Sequence, residues 1–211
     1  MARENLKEKA YRIIKRKIVN CEYSPESFLT EAELMREIGT SRTPIREALN
    51  KLEQESLIRI IPKKGVIVGA ITIREINDVY QIRELVEPYI IRTWGNKLST
   101  ETLTAFKEKL VDLADSSEKE SYEMDDSLHR CIISVCENKY LVELMEKSYD
   151  QNHRIRIISG RLHSRLERST REHINILNLL IARDMEGAAQ AMSAHLESAK
   201  QAAVESFFQL K

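Results

Sequence analysis

Two groups of residues in this sequence have the types and the spacing to do chemistry. In the first, Arg42 and Arg46 are four apart, so on a helix they leave the same face one turn from each other. A guanidinium fork bonds guanine O6 and N7 together, and two arginines at the start of a helix suit the reading of base edges. Ser41 and Thr43 beside them are short donors that fit phosphate oxygens near a helix N-terminus, where free N–H groups also favour an anion. Lys63, Lys64 and Gly65 follow in a turn between two β-branched runs and suit contact with a phosphate backbone or a minor groove.

The second group is Asp125, His129, His173 and His195. Asp125 and His129 are again four apart, and the other two histidines fall in later helical stretches. A helical bundle can aim all four inward, and a carboxylate with imidazoles suits a divalent transition metal. His153 reads as a polar bundle position and His163, in a Ser- and Arg-rich turn, as a surface residue. Cys131 and Cys136 are five apart and share a helix face poorly, so they read as small core residues.

The elements that must carry these residues follow from periodicity. Leu6, Ala10, Ile13, Ile14 and Ile18 have helical spacing and predict a first helix of about 17 residues. Thr30 with Glu33 is a capping-box signature for a short helix that stops at Gly39. Ser41 or Thr43 can cap the next, which tolerates Pro44 in its first turn and puts Ile45, Ala48, Leu49 and Leu52 on one face. Residues 57–68 read as a hairpin around Pro62-Lys63-Lys64-Gly65. Three helices and a hairpin are the pattern of a winged helix-turn-helix. Beyond residue 70 the spacing is helical throughout, with helices expected over 73–94, 101–115, 119–136, 139–158, 170–182 and 186–208. Thr72 with Glu75 and Ser169 with Glu172 serve as N-terminal caps, and Pro88 should kink the first helix.

Composition limits the function classes. No apolar run approaches the ~18 residues that a membrane span needs, and the N-terminus has charge without the apolar core of a signal peptide. Three cysteines, with no C-x-x-C pair, argue against a disulfide framework and for a cytoplasmic chain. Six glycines and four prolines exclude a collagenous or linker-rich chain. The net charge of zero hides a split: residues 1–70 hold 14 Lys and Arg against 10 Asp and Glu, a net of +4, so residues 71–211 carry −4. The positive end is the one that holds the arginine pair, which fits a polyanionic partner.

The run from Glu31 to Leu49, with SRTPIREAL at residues 41–49, resembles the DNA-binding head of the GntR family of bacterial transcription regulators. The downstream LEQESLI and PKKGVIV match the rest of that head, and the helical remainder resembles the FCD domain of the FadR-type branch. Six helices in a short chain suggest its VanR-like subgroup. The fold this implies is mainly α: a winged helix-turn-helix over 1–70, then an all-α FCD bundle over 71–211 for effector binding and dimerisation. The resemblance assigns Arg42 and Arg46 to DNA contact, with Ser41, Thr43 and Gly65 nearby. The chain departs from some members at Ala32, where they carry an arginine that touches DNA; that contact is absent here or replaced by Arg36.

In the second half the resemblance makes Asp125, His129, His173 and His195 a metal site, with zinc ahead of nickel or manganese. Arg83 is implied to reach an effector pocket, with Arg154 and Arg156 as secondary candidates for it; Arg83 also has Glu87 at i+4 as a salt-bridge partner. The function implied is a homodimeric repressor, not an enzyme. It would bind palindromic operator DNA with half-sites about one turn apart and respond to a small carboxylate that completes the metal's coordination. Two other readings stay open: a metal-dependent hydrolase using the same Asp and His residues, and a metal-free dimerisation scaffold on a DNA-binding head.

Overall fold

The computed structural model describes residues 5–112, 118–159 and 163–209. The chain divides into two compact units, Met1–Thr72 and Ile73–Lys211.

The first unit contains α1 (Leu6–Val19), α2 (Glu31–Ile38) and α3 (Arg42–Gln54), with strands β1 (Phe28–Leu29), β2 (Ile58–Ile61) and β3 (Gly65–Val68). Asn5 caps α1 by accepting from the Lys7 amide, and the helix runs for 14 residues, shorter than the spacing predicts. It buries Ala10, Ile14 and Ile18, successive positions of one stripe, in a core with Ile45, Ala48, Leu49 and Leu52 of α3. The capping box at α2 forms as expected: Thr30 Oγ1 accepts from the Glu33 amide and the Glu33 carboxylate accepts from the Thr30 amide. Gly39 ends α2 at φ 70°, the left-handed conformation that only glycine adopts freely.

The sheet order is β1-β3-β2, with both pairings antiparallel. β1 is a strand that the periodicity does not predict, because two residues contain no alternation to read. It pairs Phe28 with Ile67 and Leu29 with Val66. Its presence explains Gly65, whose φ is 153° and where an added Cβ would lie 2.3 Å from the Leu29 carbonyl oxygen. Only glycine lets that strand close against the hairpin.

The second unit is α4 (Ile73–Trp94), a 3-10 turn at Gly95–Lys97, α5 (Thr100–Asp112), α6 (Glu118–Ser134), α7 (Lys139–Ser159), α8 (His163–Ile181) and α9 (Met185–Gln209). No strand occurs among its described residues. The core joins Ile90 and Ile91 of α4, Leu128 and Ile132 of α6, Leu177 of α8 and Leu196 of α9. α4 continues through the buried Pro88. Cys131 and Cys136 are free, half-buried and packed on this core. The predicted continuation of the α5 helix to residue 115 lies outside the described residues, as does the side chain of His163.

One expectation is corrected. Ser169 and Glu172 do not open a helix at residue 170; α8 begins at His163 and Ser169 lies buried inside it. The cap does not form because α8 already runs from His163 and Ser169 is interior to it; the Glu172 carboxylate instead meets Arg168 at 2.9 Å and His195 at 2.8 Å.

Candidate nucleic-acid interface and candidate metal centre

α3 turns its apolar face to the core, so Arg42 and Arg46 must point away from it. Their side chains are 65% and 60% exposed. Both meet one carboxylate: Arg46 Nε donates to Glu31 Oε1 at 2.8 Å, and Arg42 Nε lies 3.3 Å from Glu31 Oε2. Glu31 is the first residue of α2, so the two helices set the spacing of the arginines through one acid. Sequence reasoning missed it, although it directly precedes the Ala32 position already in question. Ser41 occupies the N-cap of α3 without a side-chain cap bond. Ser41 is itself exposed, and a helix N-terminus of this kind suits an anion. Thr43, Lys63 and Lys64 are exposed. A groove between the helices and the hairpin is lined by Ala32, Arg42, Arg46, Asn50, Lys63, Lys64 and Gly65, among others. Ala32 contributes no charge to it. Arg36 is exposed on the same helix.

In the second unit α6, α8 and α9 bring Asp125, His129, His173 and His195 together. All four are buried, and one ligand atom from each lies within 4.8 Å of the others. His173 Nε2 is 3.2 Å from His195 Nε2 and 3.5 Å from Asp125 Oδ1. Two of the imidazoles are oriented by acids behind them. His129 Nδ1 is 2.5 Å from Glu87 Oε2, and His195 Nδ1 is 2.8 Å from Glu172 Oε2. A carboxylate accepts, so each Nδ1–H is directed to its acid and Nε2 faces the other ligands. His129 Nε2 is buried there with no hydrogen-bond partner in the protein. The four donors fit a divalent transition metal. The sequence pattern gives Glu87 and Glu172 only local roles, as a salt-bridge partner and as a cap, and does not place them at the site.

The arginines complete this buried network. Arg83 Nε donates to Glu87 Oε1 at 2.7 Å, with both side chains almost wholly buried. Burial pushes the Glu87 carboxyl up, but Arg83 and His129 outweigh it and hold it at about 2. Arg156 donates from its two terminal nitrogens to Asp125 and Asp126. Burial pushes Asp126 up too, yet His153 at 2.9 Å and Arg156 leave it below the usual carboxylate range. His153 therefore serves Asp126 and stands outside the four-residue cluster. Arg154 is buried and donates to Gln151. Arg83 and Arg156 each keep one buried nitrogen without a partner, at Nη2 and Nε.

The comparisons with known proteins match both halves. Residues 6–68 match the model for bacterial regulatory proteins of the gntR family, and residues 78–198 match the FCD domain. The HTH-type transcriptional repressor RspR of Escherichia coli (strain K12) is 27% identical over 194 residues, which cover 90% of this chain and 85% of that protein. The E. coli McbR/YncC structure superposes with a TM-score of 0.81 at 18% identity, covering 99% of this chain and 100% of that one. The zinc-bound FCD domain of TM0439 gives 0.59 at 22% identity, covering 67% of this chain and 99% of that one. At these identities the two structures share a fold with the chain. With both family models matched in order, a winged head followed by a helical unit, the chain belongs to the GntR family of DNA-binding bacterial transcription regulators, in the FadR-type branch that carries an FCD domain.

Proposed function

We propose that the chain is a repressor that binds a palindromic operator as a homodimer and releases it when a small carboxylate metabolite binds at a metal site in the helical unit. The observation that carries this reading is the buried cluster of Asp125, His129, His173 and His195, with His129 Nε2 unpartnered inside it. Buried polar atoms are nearly always satisfied, and three inward imidazoles with a carboxylate ask for a metal cation. The zinc reported in the FCD domain of TM0439 favours zinc here, and the same donors accept nickel or manganese. Asp125, His129, His173 and His195 would hold the ion, which would supply a Lewis-acidic centre for an effector's oxygens.

The chain's own residues divide the remaining work. Glu87 and Glu172 orient His129 and His195, while Arg83 and Arg156 supply N–H donors for the effector's carboxylate. In the head, residues 1–70, Arg42 and Arg46 read bases, Ser41 and Thr43 hold phosphates, and Lys63, Lys64 and Gly65 place the wing. Residues 71–211 bind effector and dimerise. The role is regulatory and cytoplasmic, with no catalytic step. The test is an operator mobility-shift assay on metal-loaded protein, with and without candidate acids, repeated after chelation. An acid should release the DNA from loaded protein only. Release that is indifferent to chelation, or purified protein without metal by elemental analysis, would overturn the reading.

A further inference from the structure

α3 presents Arg42, Arg46 and Asn50 at successive intervals of four, and all three are exposed and line the groove between the helices and the hairpin. Glu31 spaces the two arginines, but Asn50 stands beyond its reach by a further turn. The neighbouring polar side chains of α3 are engaged within the protein. Glu47 faces Lys7 at 3.5 Å, Lys51 lies 3.7 Å from the Tyr11 ring centroid, and Glu53 accepts from the Ile60 amide at 2.7 Å. Asn50 has no such partner among the described residues. Nor does it serve the helix. It lies more than two turns into the 13-residue α3, where asparagine is among the poorer helix formers because its side chain competes for backbone groups. A free carboxamide that the helix does not favour, facing the groove with two arginines, calls for a partner outside the chain.

We propose that Asn50 reads an adenine in the major groove and so determines operator sequence at a base pair that the two arginines do not specify. The inference rests on the recognition-helix reading above and adds a residue and a base to it. A carboxamide holds a donor and an acceptor side by side. Adenine alone of the four bases shows the complement on its major-groove edge, the N7 acceptor beside the N6 amino donor. Guanine shows two acceptors there, which suit Arg42 and Arg46 instead. A phosphate oxygen would use only the donor of Asn50 and leave its carbonyl idle. Charge for the phosphates comes in any case from Lys63 and Lys64 across the groove. Eight residues of helix rise ~12 Å, and base pairs stack about 3.4 Å apart. The adenine therefore stands within ~3–4 base pairs of the guanine at Arg42.

The experiment begins with selection of sites by the full-length protein from a random-sequence duplex library, followed by affinity measurements on the selected site. That site should hold an A·T pair within this distance of a guanine whose preference Arg46→Ala relaxes. Asn50→Ala should weaken binding on the order of 10-fold and erase the preference at the A·T pair, with the preference for guanine intact. Replacing the adenine with 7-deazaadenine removes N7 alone; it should weaken the parent and leave Asn50→Ala unaffected. Alanine is the better helix former, so Asn50→Ala should melt no lower than the parent, and the lost affinity is not lost structure. Equal weakening on all sequences would make Asn50 a phosphate contact and overturn the proposal, as would unchanged affinity. If Arg46→Ala also leaves the guanine preference untouched, the recognition-helix reading fails with it. If Asn50→Ala alone is without effect, that reading stands and only the adenine contact is lost.

Discussion

Glu31 places a negative charge between two arginines that face a polyanion. An exposed ion pair of this kind adds only ~0–1 kcal/mol to stability, so its consequence lies in geometry: the guanidiniums are spaced before DNA arrives. Arg46→Ala should weaken operator binding by ~1–3 kcal/mol and relax preference at one base pair, as read by competition among single-substitution operators. Lys63→Ala or Lys64→Ala should instead weaken all sequences alike and lower the salt slope by ~1. Glu31→Gln removes a charge that repels phosphate and frees the arginines. Binding to random DNA should rise, the specific-to-random ratio should fall, and the melting temperature should hardly move. A ratio equal to the parent's would mean that Glu31 does not position them. The arginine pair was legible in the sequence because a spacing of four is a local fact. Glu31 was not, because its contact with Arg46 spans fifteen residues and two helices.

Among the elements, α4 and α8 carry the acids that stand behind the metal cluster. Glu87 sits between Arg83 and His129 in a fully buried row. Glu87→Gln leaves the Arg83 charge without its counterion, and breaking a buried pair in this way costs ~3–5 kcal/mol. It also frees the His129 ring, and loss of such an outer partner lowers metal affinity by ~10–100-fold. Thermal unfolding and a competitive metal titration should both show the loss. An unchanged metal affinity would reduce Glu87 to a structural counterion. The helices themselves were legible because apolar residues recur every three or four positions along each of them. β1 was hidden, since its two residues gain their structure from Val66 and Ile67 far along the chain. Ser169 misled for a related reason: the Ser-x-x-Glu pattern is local, but α8 already runs from His163 and Glu172 meets His195 of another helix.

For the molecule as a whole, the two units should respond differently to one ion. Asp125, His129, His173 and His195 come from α6, α8 and α9, so a bound metal ties three helices of the second unit together. No comparable group of ligands occurs among the described residues of the first unit. Binding to the folded state alone stabilises by mass action, ~2.7 kcal/mol at a free concentration 100 times the dissociation constant. In a unit of this size that is a shift on the order of 10 °C. Scanning calorimetry should therefore show two transitions, only one of which falls when metal is chelated. His173→Ala and His195→Ala should lower that transition in metal-containing buffer, lose metal by elemental analysis and abolish effector release. Both should still shift operator DNA, because Arg42 and Arg46 belong to the other unit. A melting profile and effector response that survive chelation would show that the histidines hold the bundle by hydrogen bonds alone, as a scaffold. Loss of operator binding in either variant would show instead that the head depends on the bundle for its own folding.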